Sequence, residues 1–412
     1  MLFRSYIVDF CYAFCYNNFI FRKGGEDMEE KELLKYGKYL TSLISSVILN
    51  TAAPAPFDDI NWVKFFNLAK KHDSVTIVYS AIETMNIPDD AKTLFTKEKN
   101  KIVARTTRQA IEAERVFKTL EDNNIKYIKL KGIHIKDHYP APYMRVFSDV
   151  DIYVSKEDRE KAKSIMKDLG YKLKSTIDYH DEYGKDDFYI YEIHNPITPE
   201  SSFDHVVFLN PFTKAISLSQ NNLSCVLNNE HFYLHLFFHL YSHFRDRGCG
   251  IRFFTDLLVF QQFIKNTDYQ FVEDTLKQHN MLDFYNSVQK LMGYFFFDEV
   301  ADENTLTVAE FILKNKTIET SKNRFANLNF LEKFKYLLKI WFPPAKELAF
   351  RYPVLNKAPV LLPVCWVRRF FYSLFFKRSA FKQQTDNIKN LNSKKFKDIR
   401  KVRKLATKNN IK

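Results

Sequence analysis

The chain has 412 residues, 46% hydrophobic and 16% aromatic, enough for two or three domains with a sizeable core, which excludes a largely disordered protein. Its net charge of +13 is lopsided: residues 377–412 carry thirteen Lys and Arg against two Asp, so basic character belongs to a tail and the body is left near +2. Five cysteines (Cys11, Cys15, Cys225, Cys249, Cys365) fall at irregular spacing with no C-x-x-C pair, which argues against structural zinc and a disulfide framework and for a reducing, cytoplasmic setting.

Residues 1–27 differ in character from the body of the chain. The apolar run Ile7–Phe21 is broken by Asp9, Asn17 and Asn18, so it is too short and too polar for a membrane span, and no small-residue cleavage site comes after it. Lys23-Gly24-Gly25-Glu26 can be encoded as a ribosome-binding sequence, so the expected start of translation is Met28, with residues 1–27 outside the native fold. Residues 28–122 read as a helical N-terminal region. Leu33, Leu34, Tyr39 and Leu40 recur at helical spacing, Pro54 and Pro56 interrupt, and helices resume over Trp62–Lys71, Val75–Met85 and Glu98–Leu120.

Residues 123–212 carry the chemistry-bearing pattern. A strand is expected over Ile125–Leu130, then Lys131-Gly132, a short helix Ile133–His138, a loop at Pro140–Pro142, and a strand Asp149–Val154. Side chains two apart on a strand share a face, so Asp149 and Asp151 project together, their Cα atoms about 6.6 Å apart, while Val150, Ile152 and Val154 face a core. Two such carboxylates repel and cost desolvation energy unless a cation joins them, and a Mg²⁺ pair suits the arrangement; an ordinary turn or edge feature is the plainer reading. A helix from Ser155, with Asp158 completing an S-x-x-D cap, is expected to stop at Gly170. Next come a strand Tyr171–Thr176, an acidic turn Asp178–Asp187 and a strand Phe188–His194, with Phe188, Ile190, Glu192 and His194 on one face. Glu192 is either a third carboxylate or an edge residue facing water. Asp204, in an apolar stretch Ser202–Leu209 read as a strand, competes with it.

Residues 213–376 read as a helical C-terminal domain. Glu230–Phe244 carries His231, His235, His239 and His243 at i, i+4 spacing. An H-x-x-x-H pair can hold zinc, but the run is dense in Phe, Leu and Tyr, which favours buried core with one or two histidines lining a cleft. Arg252 and Asp256 suit an intrahelical ion pair, or an arginine turned to phosphate. Helices are expected over Tyr269–Met292, Leu306–Asn315 and Leu331–Phe342. Pro353–Phe376 is apolar but holds Pro359, Pro363, Arg368 and Arg369, against a spanning helix; it suits packing on the body or lying on a membrane surface. The tail 377–412 is either a solvated end or a contact for an anionic partner.

Several of these residues together resemble an uncharacterised bacterial nucleotidyltransferase family within the DNA polymerase β-like superfamily. They are Leu130-Lys131-Gly132, Tyr139-Pro140, Arg145, Asp149-Val150-Asp151, Glu192-Ile193-His194, the stretch His235–Asp256 and the run Trp341–Arg369. The chain departs from the wider superfamily in having Lys131-Gly132 for the usual Gly-Gly or Gly-Ser, and in a long gap from that glycine to Asp149. The resemblance implies an α+β fold, a small mixed β-sheet flanked by helical regions, and a Mg²⁺-dependent enzyme. It implies Asp149, Asp151 and Glu192 as catalytic carboxylates holding two Mg²⁺ (or Mn²⁺) ions, and Lys131, Gly132, Arg145 and Ser148 as nucleotide-binding residues. The implied partners are a nucleoside triphosphate and a hydroxyl acceptor on a small molecule, a protein or RNA. The alternative is a catalytically decayed protein that binds nucleic acid or another partner through its basic tail.

Overall fold

Alternation decides the central strand. In β2 (Val150–Val154), Val150, Ile152 and Val154 enter an apolar core on one side of the sheet, as expected, which turns Asp151 and Tyr153 to the other side. The computed structural model describes residues 28–315 apart from 178, 187, 188 and 247, together with 342, 345, 348, 352–356, 358–376 and 402. The expectations for residues 1–27, the helix Leu331–Phe342 and most of the tail 377–412 lie outside the described residues.

The fold is α+β, around a seven-stranded mixed sheet of order β3-β4-β5-β2-β1-β7-β6. Its other strands are β1 (Tyr127–Lys129), β3 (Lys172–Ile177), β4 (His180–Lys185), β5 (Tyr189–His194), β6 (Ala215–Ser217) and β7 (Ser224–Leu227). β2 pairs antiparallel with β1 and parallel with β5, in a register that sets Asp151 opposite Glu192. The expected acidic turn at Asp178–Asp187 is largely strand β4, because its charges are paired: Asp181 with Arg159 and Thr176, Glu182 with Ser175. The sheet also continues past residue 212, where helix was expected: β7 lies parallel to β1, and β6 closes that edge.

Helices cover both faces. On one, the end of α4 (Asp89–Asp122) and α6 (Arg159–Asp168) bury Val116, Phe117, Leu120, Ile165 and Met166 against the sheet. Ser155 caps the turn before α6, accepting from Asp158 N–H at 3.1 Å, and Gly170 comes just after the helix with φ 86°. The other face meets a thicker layer: α1 (Glu30–Leu49), α2 (Trp62–Lys71), α3 (Val75–Ile82), α7 (Asn229–Asp246), α8 (Ile251–Phe263), α9 (Tyr269–Gln278), α10 (Leu282–Phe296) and α11 (Glu303–Lys314). Between β1 and β2 lies α5 (Lys131–Ile135). The N-terminal and C-terminal helices share one core. Ser45 in α1 donates to the Phe296 carbonyl at 2.8 Å, and Gly37 leaves room for Leu313 of α11. Buried His72 joins two more pieces, its Nε2–H donating to the Leu313 carbonyl at 3.1 Å and its Nδ1 accepting from Ile251 N–H at 3.3 Å.

Further on, Leu348, Leu355 and Cys365 form a small cluster of their own, the last from α12 (Leu362–Phe376). Val360, Val364 and Val367 are exposed. No helix among the described residues is long and apolar enough to cross a membrane.

One buried ion pair ties the β1–β2 connection to the helical layer. Arg145 donates through Nε and Nη2 to the two oxygens of Asp256 on α8, at 2.6 and 2.8 Å, and Tyr139 adds a hydrogen bond to Oδ1 at 2.7 Å. The expected Arg252–Asp256 pairing gives way to this: Arg252 reaches the Val146 carbonyl at 3.2 Å and Asp73 at 3.5 Å. Removing one member of such a buried pair strands the other charge, so Arg145→Met should cost about 3–5 kcal/mol. Asp256→Leu added to it should cost much less than a second such loss, because no charge is left behind. Urea denaturation measures both; a loss under about 1 kcal/mol for Arg145→Met would count against the pair as a brace.

Candidate active site

At the end of β1 the backbone of Lys131 is left-handed, with φ 44°. For a residue with a Cβ this costs about 1 kcal/mol, and such strain persists where the surroundings enforce it. The turn places the Lys131 ammonium over the sheet, donating to Asp151 Oδ1 at 2.6 Å and standing 4.0 Å from Glu192 Oε2. Gly132 is the neighbour and not the left-handed residue. It is buried, and a Cβ added there would only touch Phe147 and the Arg145 guanidinium at 3.4–3.5 Å.

Asp151 is 3% exposed, at the centre of the group. His194 donates through Nε2 to its Oδ1 at 2.9 Å and stands 3.4 Å from Glu192 Oε2. From β4, across the β4–β5 ladder, His180 brings its Nε2 to 3.7 Å from Glu192 Oε1. Asp149 sits just before β2, its Oδ1 accepting from the exposed Ser148 hydroxyl at 3.0 Å.

The charges respond to this crowding. Burial alone would raise the Asp151 carboxyl, but Lys131 and His194 hold it well below the usual carboxylate range. Asp149 moves the other way: burial and the Asp151 charge push it up, with Glu192 adding to them and Lys131 only partly offsetting. Burial opposes charge on Lys131 and on His194. The neighbouring carboxylates nonetheless raise both, Asp151 foremost in each case. His180 falls to about 4, chiefly through burial.

Three carboxylates thus meet on one side of the sheet, partly neutralised by a lysine and an imidazolium. A buried anionic set with incomplete compensation, built of oxygen donors, fits divalent cations of the Mg²⁺ kind. Among the described residues, His180, Glu192 and His194 also form a group of potential metal ligands whose donor atoms all lie within 4.8 Å of one another.

The structure gathers Asp149, Asp151, Glu192, Lys131 and Ser148 in one place. Arg145, expected at the nucleotide, has its fork taken by Asp256 and acts as a brace. Asp204 is not on a strand. It precedes a 3-10 turn (His205–Phe208) and is buried, with the Ser202 hydroxyl donating to it. The histidine ladder of α7 does not converge on a zinc site: His231 bonds Asn228, while the rings of His239 and His243 meet edge to face and both pack at a tilt against Phe253. His235 and His239 feel the charges of Lys131 and Asp151, so this part of the ladder borders the site. Sequence reasoning missed His180 and His194 as site residues. Period two already set His194 on the face of Glu192, and that was the available signal; His180 needed the unrecognised strand β4.

Residues 58–296, more than half of the chain, match the model of a family described as uncharacterised nucleotidyltransferase. No curated protein and no solved structure matches the chain.

The left-handed Lys131 generates a test. Lys131→Gly and Lys131→Ala both lose the ammonium, but only alanine keeps a Cβ in the strained turn, so the glycine variant should be the more stable by about 1 kcal/mol. Equal urea midpoints for the two would show that no strain resides there.

Proposed function

The chain belongs to the uncharacterised nucleotidyltransferase family, and on that premise we propose that it transfers a nucleoside monophosphate from a nucleoside triphosphate to a hydroxyl acceptor, with a polymerase β-like site. The observation that carries this reading is the register of two parallel strands. It sets Asp151 beside Glu192, with Asp149 next to them and a lysine ammonium between the carboxylates.

In this reading Asp149, Asp151 and Glu192 hold two Mg²⁺ ions (Mn²⁺ fits the same oxygens), which would supply charge neutralisation for the triphosphate and the leaving pyrophosphate. Lys131 has a long stem and three donors, so its ammonium can leave Asp151 for a phosphate oxygen once a triphosphate brings negative charge nearby. The Ser148 hydroxyl, exposed beside Asp149, is a second donor to phosphate. Glu192 is less buried than Asp151 and can accept the proton of the attacking hydroxyl. Arg145 and Asp256 hold the loop that carries Ser148 and Asp149, and so position the site without touching the nucleotide.

The test is incubation with labelled ATP, CTP, GTP and UTP, Mg²⁺ and cell extract. A labelled product is expected from at least one nucleotide, and chelation of the metal should abolish it. The variant carrying Asp149→Asn and Asp151→Asn should lose more than about 100-fold, beyond what loss of an outer-shell partner costs. Metal-dependent nucleotide binding left intact in that variant would overturn the assignment.

A further inference from the structure

We propose that His180, Glu192 and His194 form a cation site of their own, with two imidazoles and a carboxylate, that takes a borderline transition metal such as Zn²⁺ in preference to Mg²⁺. The proposal stands on the donor set and not on nucleotidyl transfer, although Glu192 is common to both.

His194 supplies the first argument. Its Nδ1 lies 3.1 Å from the Ile197 carbonyl, which can only accept, so Nδ1 carries a proton. A neutral ring in that tautomer turns the Nε2 lone pair towards the oxygens of Asp151 and Glu192. Nε2 lies 2.9 Å from Asp151 Oδ1 and 3.4 Å from Glu192 Oε2, a place where one cation can meet all three groups. An Nδ1–H anchored on a backbone carbonyl, with Nε2 presented forward, is the outer-shell arrangement that orients metal-binding histidines. In the chain alone, a second ring proton fills that place.

His180 supplies the second argument. It is 6% exposed, its Nε2 stands beyond hydrogen-bond distance from Glu192, and its Nδ1 is buried with no hydrogen-bond partner. An ion held between Nε2 and Glu192 would give the ring a polar partner on that side, where no hydrogen bond closes the gap. Each oxygen of Glu192 faces one imidazole, at 3.4 and 3.7 Å. Donor atoms about 2.1 Å from a tetrahedral ion sit roughly 3.4 Å apart, so little movement is needed.

The frame is rigid. His180 and His194 are direct partners in the β4–β5 ladder with ring centroids 5.0 Å apart, and Glu192 shares the face of His194 on β5. On α7, His235 presents a buried Nε2 that also lacks a hydrogen-bond partner. Imidazole donors favour Zn²⁺ and other later metals, whereas all-oxygen sets favour Mg²⁺.

The experiment uses the full chain, stripped with chelator and titrated with Zn²⁺ by calorimetry. One tight site is expected, and a large excess of Mg²⁺ should not displace the metal. His180→Ala and His194→Ala should each weaken binding by at least 10-fold, while Asp149→Asn should leave it within about 3-fold even though it impairs nucleotidyl transfer. That contrast separates failure of this site from failure of the transferase reading. Because either histidine variant can disturb folding, X-ray absorption on the Zn²⁺-loaded wild type gives a second measure, and two imidazole neighbours are expected. An all-oxygen or sulfur-containing shell, no Zn²⁺ binding, or affinity unchanged in both histidine variants would overturn the proposal.

Discussion

Keeping a carboxylate ionised inside the protein is the constraint on which the rest depends. Asp151 is on the middle strand of the sheet and almost fully enclosed, where an uncompensated charge would be prohibitive. Its neighbours answer that demand from two directions. Lys131 reaches it from a backbone turn that a side-chain-bearing residue adopts only at a cost, and His194 reaches it from the adjacent parallel strand. Both compensating cations can be replaced: an ammonium can swing aside and an imidazolium can lose a proton. A fixed apolar core would have been easier to bury. What this arrangement provides is a negative centre whose counter-charge is exchangeable, which a binding site for metal and phosphate requires.

A second buried charge serves the opposite purpose. Arg145, Asp256 and Tyr139 satisfy each other almost completely, and the pair joins the loop before β2 to α8. Nothing there is left over for a ligand. The same guanidinium that sequence resemblance associates with nucleotide thus determines where Ser148 and Asp149 stand. His72 works likewise, joining α11 to the start of α8. One polar cluster is poised for exchange and the others are closed.

How far this was legible in the sequence varied with the range of the interactions. Alternation within Val150–Val154 was enough to assign which side chains enter the core, and the cap at Ser155 and stop at Gly170 arise from local chemistry. The pairing of Asp149 with Asp151 was legible from alternation, but that Glu192 joins them was legible only through the resemblance, since period two says which face a residue takes and not which strand lies alongside. Strand β4 was hidden because Asp181 and Glu182 look like turn residues until their partners Arg159 and Ser175 are known. Strands β6 and β7 are only three and four residues long, too short for alternation to register, so the sheet's extension was read as helix. Arg252 and Asp256 had the right spacing for each other, yet a residue 111 positions away took the carboxylate. Distant partners of this kind leave no periodic trace.

The shared core of the first and last helices bears on how the chain is made. Ser45 finds its acceptor 251 residues later, and the apolar stripe of α1, with Leu40, Leu43 and Ile44, is completed by helices that emerge near the end of that interval. At ordinary elongation rates the ribosome takes roughly 10–50 s to cover such a distance. The early helices α2 and α3 cover part of that stripe, but the part that meets α8, α10 and α11 waits throughout that time. Apolar surface that waits for a late partner is what makes a growing chain prone to aggregate, so the order in which these helices emerge matters beside the stability of the finished fold.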